Sequence, residues 1–244
     1  MATKSRHSRR RFLMAGTATG TGLLIAGIAA ATQAGEAPKA APKQGDAQAP
    51  EDISPAEDLM REHGILNRIL LVYEEGLRQL RGEGNVEATA LAGSARIVRT
   101  FLEDYHEKLE EDHLFPRFEK AGKLVDLVKV LREQHQVGRR LTDETTQLAT
   151  PATLRGAQGR AELSQSLRQF IRMYRPHASR EDTVLFPALR SVMTAKEFDE
   201  MGDRFEEREH QLFGEHGFED VVAQVAEFEK TRGIYELNQF TAKV

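Results

Sequence analysis

Residues 106–116 read HEKLEEDHLFP, and residues 177–187 read HASREDTVLFP, so both have the form His-x-x-x-Glu-(Glu/Asp)-x-x-Leu-Phe-Pro. His63 lies 43 residues before His106, and His135 lies 42 residues before His177, which makes the repeat 71 to 72 residues long. Because residues i and i+4 share one face of a helix, each copy can present a His and a Glu to one point. The repeat therefore predicts four imidazoles and two carboxylates around one site, a donor set that suits a pair of iron or manganese ions.

The region after residue 53 is predicted to be helical throughout. Apolar residues recur there at three- and four-residue steps, and no segment alternates with the period of two that a strand requires. The predicted helices cover about residues 55–81, 86–115, 123–148, 160–185, 195–213 and 218–230. Ser54 and Thr194, each followed three residues later by Glu, predict capping boxes, and Pro116 and Pro187 are expected to end or kink their helices. The predicted fold class is all-α: an antiparallel four-helix bundle built from two related helical hairpins, with C-terminal helices packed on it.

The first 53 residues differ in composition from the rest. Arg9, Arg10 and Arg11 precede a mildly apolar run to about residue 31, which is similar to a twin-arginine export signal. The following residues are rich in Ala, Pro, Gln and charge and predict a disordered linker. We therefore divide the chain into a signal sequence at 1–34, a linker at 35–53, the bundle at 54–190 and a C-terminal helical extension at 191–244. The expected location is the periplasm or another exported compartment, with membrane contact only through the signal segment if it is not cleaved.

The composition excludes several classes of site. The 244 residues contain no Cys, which removes disulfides, iron–sulfur clusters and Cys-based zinc sites. Residues 1–34 carry five basic residues and no acidic one, so the rest of the chain is more acidic than the net charge of −4 indicates. Such a body lacks the basic footprint that nucleic acid requires, so no nucleic-acid partner is expected. The sequence makes no prediction about the oligomeric state.

The duplicated motif and its upstream histidines resemble the hemerythrin-like family, also called the HHE cation-binding domain. The resemblance covers about residues 55–190 and implies a four-helix bundle around a non-haem di-iron centre, with manganese as the alternative metal. The implied metal ligands are His63, His106, His135 and His177 as terminal ligands, and Glu110 and Glu181 as carboxylate bridges. Oxygen-carrying hemerythrins have a second His four residues after the third-helix His, where this chain has Arg139, so it is more similar to the bacterial iron-repair and iron-sensing branches. The oxygen-carrying hemerythrins also use a carboxylate five residues after the last His, which makes Asp182 the alternative to Glu181.

Two classes of function are consistent with such a centre. The first is a protein that binds O2, NO or peroxide-derived ligands, for sensing, carriage, stress protection or iron storage. The second is an enzyme, a di-iron oxidoreductase that detoxifies peroxide or NO, or that repairs iron centres. A ferritin-like bundle is a further alternative because Glu103, Glu110 and Glu207 each precede a His by three residues. The last alternative is a helical bundle that binds no metal and serves only in protein interactions.

The other histidines and two tyrosines are weaker candidates. His113 has no histidine at its repeat position and is predicted to lie on the surface. His210, on the charged fifth helix, is the one that could cap the site, whereas His216 is predicted to be a turn residue. Tyr105 and Tyr174 each lie close to a ligand histidine in the sequence. They either pack in the core or donate a hydrogen bond to a metal-bound oxygen.

Overall fold

The computed structural model describes residues 53–82 and 86–243. The chain divides into two units, Met1–Ile53 and Ser54–Val244. The predicted signal sequence, and all but the last residue of the predicted linker, lie outside the described residues. Within the described ranges the chain forms helices and no strand, which confirms the predicted all-α class. None of these helices is both long enough and apolar enough to span a bilayer.

Six long helices, labelled α1 to α6 in chain order, are found in the described part of the second unit. Four are single segments: α1 is Pro55–Arg81, α3 is Val125–Leu148, α5 is Ala195–Phe213 and α6 is Gly217–Thr231. The other two, α2 at 88–121 and α4 at 157–191, are rods of consecutive segments. The segments of α2 are Ala88–Ile97, Val98–His106, Glu107–Leu109, Glu110–Leu114 and Phe115–Ala121. Those of α4 are Ala157–Arg180, Glu181–Leu185, Phe186–Ala188 and Leu189–Ser191. Single turns lie at Pro151–Leu154 and Leu237–Phe240.

The first four helices form the bundle. Each packs against its neighbours in the chain, and α4 closes the ring by packing along α1. The core between them is apolar and includes fully buried side chains from every helix, such as Leu59, Phe101, Leu131 and Phe170. Burying a side chain of this size stabilises the fold by about 1.5–3 kcal/mol. This apolar frame holds the polar side chains described below.

The two C-terminal helices cover one side of the bundle. α5 packs on α1 and α6, and α6 packs on α1 and α2. Phe198, Met201 and Phe205 of α5 are buried against the bundle, whereas Leu212 is 43% exposed. In α6, Glu229 accepts two hydrogen bonds from the guanidinium of Arg68 on α1, at 2.9 and 2.5 Å. The predicted packing of the C-terminal helices is therefore confirmed.

Helix starts follow the capping signals of the sequence. Thr194 and Glu197 make both bonds of a capping box, in which the Thr194 hydroxyl accepts from the backbone of Glu197 and the Glu197 carboxylate accepts from the backbone of Thr194. At α1 the Ser54 hydroxyl accepts from the backbone N–H of Glu57 at 3.2 Å, but the reciprocal bond from the backbone of Ser54 to the Glu57 carboxylate is not formed, so the predicted capping box is only half present. Pro55 occupies the first turn, where its missing N–H removes no helical hydrogen bond.

Pro116 and Pro187 were expected to end or kink their helices, and the first of these two alternatives is wrong. Before each proline the helix widens into a π-helical turn, in which the N–H of Phe115 donates to the carbonyl of Glu110 and the N–H of Phe186 donates to that of Glu181. The wider turn accommodates a proline ring that would clash with the preceding turn of a regular α-helix. α2 therefore continues to Ala121 and α4 to Ser191.

Candidate metal centre

Two groups of three buried side chains meet in the middle of the bundle. Their members are the six residues predicted as ligands, each at most 4% exposed: His63, His106 and Glu110 in one group, and His135, His177 and Glu181 in the other. Within each group one ligand atom per residue lies within 4.8 Å of the others. All four helices of the bundle contribute, because α1 and α3 carry one His each and α2 and α4 carry a His–Glu pair each.

The histidines form two pairs with their Nε2 atoms turned towards each other. The Nε2 atoms of His63 and His106 are 3.1 Å apart, and those of His135 and His177 are 3.3 Å apart. Two nitrogens bound at about 2.1 Å to one ion, at roughly a right angle, would be about 3 Å apart. The spacing of each pair therefore fits two neighbouring positions in the coordination shell of one metal ion.

Each glutamate faces one histidine of either pair. The Oε2 atom of Glu181 lies 3.4 Å from Nε2 of His63 and 3.1 Å from Nε2 of His177. Glu110 has the corresponding position in the repeat. Its Oε2 atom lies 3.4 Å from Nε2 of His135 and 3.8 Å from Nε2 of His106. A carboxylate between two pairs of imidazoles is positioned to bridge two ions.

The carboxylate oxygens of Glu110 and Glu181 are the clearest indication that this site suits a cation. All four are buried and accept no hydrogen bond from the described residues. An unsatisfied buried polar group costs about 1–3 kcal/mol, and such groups are rare in folded proteins. Imidazole nitrogens and carboxylate oxygens are donors for iron and manganese, so the residues present fit a pair of such ions.

A second layer of acceptors orients the histidines of α2 and α4. Nδ1 of His106 lies 2.7 Å from Oε2 of Glu62, and Nδ1 of His177 lies 2.8 Å from Oε1 of Gln134. Glu62 and Gln134 each precede the histidine of their own helix by one residue, so they occupy equivalent positions in the repeat. An ionised carboxylate only accepts hydrogen bonds, which places the proton of His106 on Nδ1 and leaves its Nε2 lone pair for the metal.

The histidines of α1 and α3 are oriented by the residue after each bridging glutamate. Nδ1 of His63 lies 2.7 Å from Oδ1 of Asp182, and Nδ1 of His135 lies 3.1 Å from Oε1 of Glu111. Asp182 is 30% exposed and lies behind the imidazole, whereas Glu181 is fully buried and faces the centre. The geometry thus favours Glu181 over Asp182 as the inward carboxylate.

The pKa values of His63, His106 and His135 differ. Burial lowers the pKa of His106 to about 3 and that of His135 to about 4, so both are neutral imidazoles, the form that binds metal. Burial also acts to lower the pKa of His63, but the hydrogen bond to Asp182 and the close contact with the Glu181 carboxylate outweigh it and raise that pKa to about 9. Metal binding at His63 therefore has to displace a proton.

The two inward carboxyls have pKa values shifted in opposite directions. Burial, together with the negative charge of Glu181, raises the pKa of Glu110 well above its ordinary range. Burial acts in the same direction on Glu181, but its close contacts with the imidazoles of His177 and His63 hold the pKa of Glu181 well below that range. Neighbouring carboxyls that repel each other commonly show such opposite shifts.

A polar network that the sequence reasoning missed extends from the centre to the surface. Nη2 of Arg139 donates to Oε2 of Glu107 and to Oε1 of Glu111, both at 2.8 Å, and the Tyr174 hydroxyl donates to Oε1 of Glu107 at 2.6 Å. Tyr174 crosses α3 at Gly138, where a Cβ atom would lie 1.9 Å from the hydroxyl oxygen. Arg139, the residue that departs from the oxygen-carrying pattern, thus holds two carboxylates next to the ligands.

The remaining candidates lie outside the two groups of ligands. His113 and His210 are half-buried, and His216 is exposed at the start of α6. None of the three belongs to a cluster that could hold a metal within the described residues. The Tyr105 hydroxyl donates to Oε2 of Glu209 at 3.5 Å.

The ferritin-like alternative gains no support from Glu103. This carboxylate is fully buried, but its oxygens face Arg99 at 2.6 Å and the hydroxyl of Thr142 at 2.5 Å. It is absent from the potential metal clusters of the described chain, as is Glu207. The Glu-x-x-His spacings of this sequence therefore do not assemble a site of their own.

The fold and the site together define an all-α bundle protein with buried His and Glu groups that could hold metal cations. Comparison with known families agrees, since the model of the hemerythrin HHE cation binding domain matches residues 54–189. The chain belongs to this family, which makes it a metal-binding protein by descent.

The relatives that match this chain are similar to it in sequence, but their descriptions name no function. Proteins described only as uncharacterized, from Mycobacterium tuberculosis and Mycobacterium bovis, are 53% identical to this chain over 189 residues. The alignment covers 78% of this chain and 74% of each relative. No solved structure matches the chain significantly.

Proposed function

We propose that this protein is an exported non-haem di-iron protein that binds a small oxygen- or nitrogen-containing molecule: O2, NO or a peroxide. The observation that carries the proposal is the set of four carboxylate oxygens of Glu110 and Glu181, buried without hydrogen bonds between two pairs of inward-facing imidazoles. The four imidazoles and both carboxylates would hold a pair of iron ions, and the positive charge of such ions would satisfy these oxygens. Manganese is the alternative metal.

The burial of the centre restricts the ligand to small molecules. All six side chains are at most 4% exposed, so a ligand must pass between packed side chains to reach them. The four imidazoles and two carboxylates would hold the ions, and bound iron would supply reversible redox chemistry and the capacity to bind a further small ligand. The protein supplies buried, fixed imidazoles and carboxylates.

An enzyme that consumes peroxide or NO is the second candidate, and the polar network favours it. Turnover of such substrates requires protons, and the Tyr174 hydroxyl and the Glu107 carboxyl form a hydrogen-bonded pair beside the ligands that could supply one. Arg139, which stays protonated, holds Glu107 in place. A protein that only binds its ligand reversibly would not need such a proton donor.

Export and partners belong to the same proposal. The twin-arginine pattern of the first residues supports translocation of a folded, metal-loaded protein into the periplasm or another exported compartment. The partner we propose is the small ligand itself, with no nucleic acid and with membrane contact only through an uncleaved signal segment.

The test is metal content and spectroscopy on the chain purified from iron-replete cells. We expect about two iron ions per chain, with charge-transfer bands that change when O2, NO or peroxide is added. The variants His106→Ala and His177→Ala should lose iron, whereas the exposed-site control His216→Ala should keep it. Reversible spectral change without product would identify a binding protein, and consumption of many equivalents of peroxide or NO would identify an enzyme. Purification without iron, or with zinc that gives no spectral response, would contradict the proposal.

A further inference from the structure

The two histidine pairs occupy equivalent places in the repeat, but the second layer behind them is unequal. In the pair His63–His106 both Nδ1 atoms face carboxylates, Asp182 at 2.7 Å and Glu62 at 2.7 Å. A carboxylate behind an imidazole makes its other nitrogen a stronger donor to a metal ion. This pair therefore offers two strengthened nitrogen donors.

The pair His135–His177 has weaker support. His177 faces the neutral amide oxygen of Gln134 at 2.8 Å. The acceptor behind His135 is Glu111, at a longer 3.1 Å, and this carboxylate also accepts from Nη2 of Arg139 at 2.8 Å and forms an ion pair with Lys108. Oε2 of Glu107 also lies 3.9 Å from Nδ1 of His135, and this carboxylate accepts from Arg139 as well. Both carboxylates behind His135 are therefore shared with a cation.

We infer that the two metal positions are unequal: the position at His63–His106 binds its ion first and more tightly, and the position at His135–His177 is the exchangeable one. This inference rests on the proposed dinuclear centre. It assigns Glu62 and Gln134 as positioning residues that set the order of loading. The difference at one repeated position, Glu against Gln, is the main determinant because the other acceptors are carboxylates in both copies.

The experiment is a titration of the metal-free, full-length chain with Mn²⁺, followed by electron paramagnetic resonance. Unequal positions predict the six-line spectrum of an isolated Mn²⁺ ion at one equivalent, replaced by the spectrum of a coupled pair at two equivalents. Glu62→Gln should weaken the first binding step about 10–100-fold, and Gln134→Glu should strengthen the second step by a similar factor. The control Glu133→Gln removes one charge at an exposed position of α3 and should change neither step.

Each alternative result has a distinct meaning. Coupled pairs from the first addition of Mn²⁺, with the remaining chains empty, would overturn the inference while leaving the dinuclear centre intact. So would Glu62→Gln and Gln134→Glu variants that behave like the Glu133→Gln control. Saturation below two ions per chain would instead refute the dinuclear centre, and the inference with it. Circular dichroism of each variant shows that it is folded, and Gln134→Glu keeps every ligand and acceptor in place.

Discussion

Replacing Glu110 with methionine should stabilise the metal-free protein and abolish its stabilisation by metal. The side chain of Glu110 is fully buried with both oxygens unsatisfied, and burial raises its pKa well above its ordinary range, which favours the neutral carboxyl. Methionine has a similar length and is flexible enough to fill the same space. At about 1–3 kcal/mol for each unsatisfied oxygen, and allowing for imperfect packing, we expect the free energy of unfolding to rise by about 2–4 kcal/mol.

The assay is urea denaturation of the full-length chain, first with a chelator and then with Mn²⁺. In the presence of chelator the Glu110→Met variant should unfold at a higher urea concentration than wild type. With Mn²⁺ at about 100 times its dissociation constant, wild type should gain about 2.7 kcal/mol and the variant almost nothing. The same substitution at exposed Glu133 should change stability by less than about 0.5 kcal/mol in either condition. A Glu110→Met variant less stable than wild type in chelator would refute the reasoning, and so would an undiminished response to Mn²⁺.

Three further predictions follow from the polar contacts and the caps. Gly138→Ala should destabilise the chain in urea denaturation, because a Cβ 1.9 Å from the Tyr174 hydroxyl costs about 1–3 kcal/mol in overpacking, against a gain in helix propensity of up to about 1 kcal/mol. Gly64→Ala, where a Cβ meets nothing within 4 Å, should stabilise it instead, and equal effects would contradict the predicted clash. Burial raises the pKa of Glu103 from 4.5 to about 7, so between these pH values the folded chain binds a proton that the unfolded chain has lost. The free energy of unfolding of wild type should therefore fall by up to about 3 kcal/mol relative to that of Glu103→Gln as pH rises from 4.5 through 7. Parallel pH profiles of the two proteins would show that this carboxyl titrates normally. Thr194→Ala should lower thermal stability by about 1 kcal/mol through loss of the capping box, and an unchanged melting curve would mean that the start of α5 contributes little.

The sequence was sufficient to predict the bundle and its inward-facing residues because both repeat. His106 and His177 recur with Glu four residues later, and a helix has one geometry that brings such residues to the same face. The structure brings these buried side chains close together, and their role as metal ligands stays a prediction. Their shared face could be foreseen because it depends on spacing within one helix.

Spacing within one helix could not predict the effect of the prolines or the hydrogen-bond acceptors behind the histidines. Pro116 stops a regular α-helix, but a π turn that begins at Glu110 absorbs it, and the sequence does not show which of the two occurs. Glu62 and Glu111 look like ordinary charged residues of an amphipathic helix. Their role depends on contacts between helices, and the signal that could have revealed it is the acidic residue that follows the glutamate in both copies of the motif.

The crossed acceptors of the second layer have a consequence for how such a site is assembled. Asp182 on α4 orients His63 on α1, and Glu111 on α2 orients His135 on α3, so each hairpin supplies the group that fixes the first histidine of the other. One hairpin alone carries half of the ligands and cannot orient all of them. Two identical hairpins related by a two-fold axis would complete the same centre, as in a symmetric dimer. When both copies are joined in a single chain, their sequences no longer have to be identical. One copy can therefore carry a carboxylate, Glu62, where the other carries an amide, Gln134.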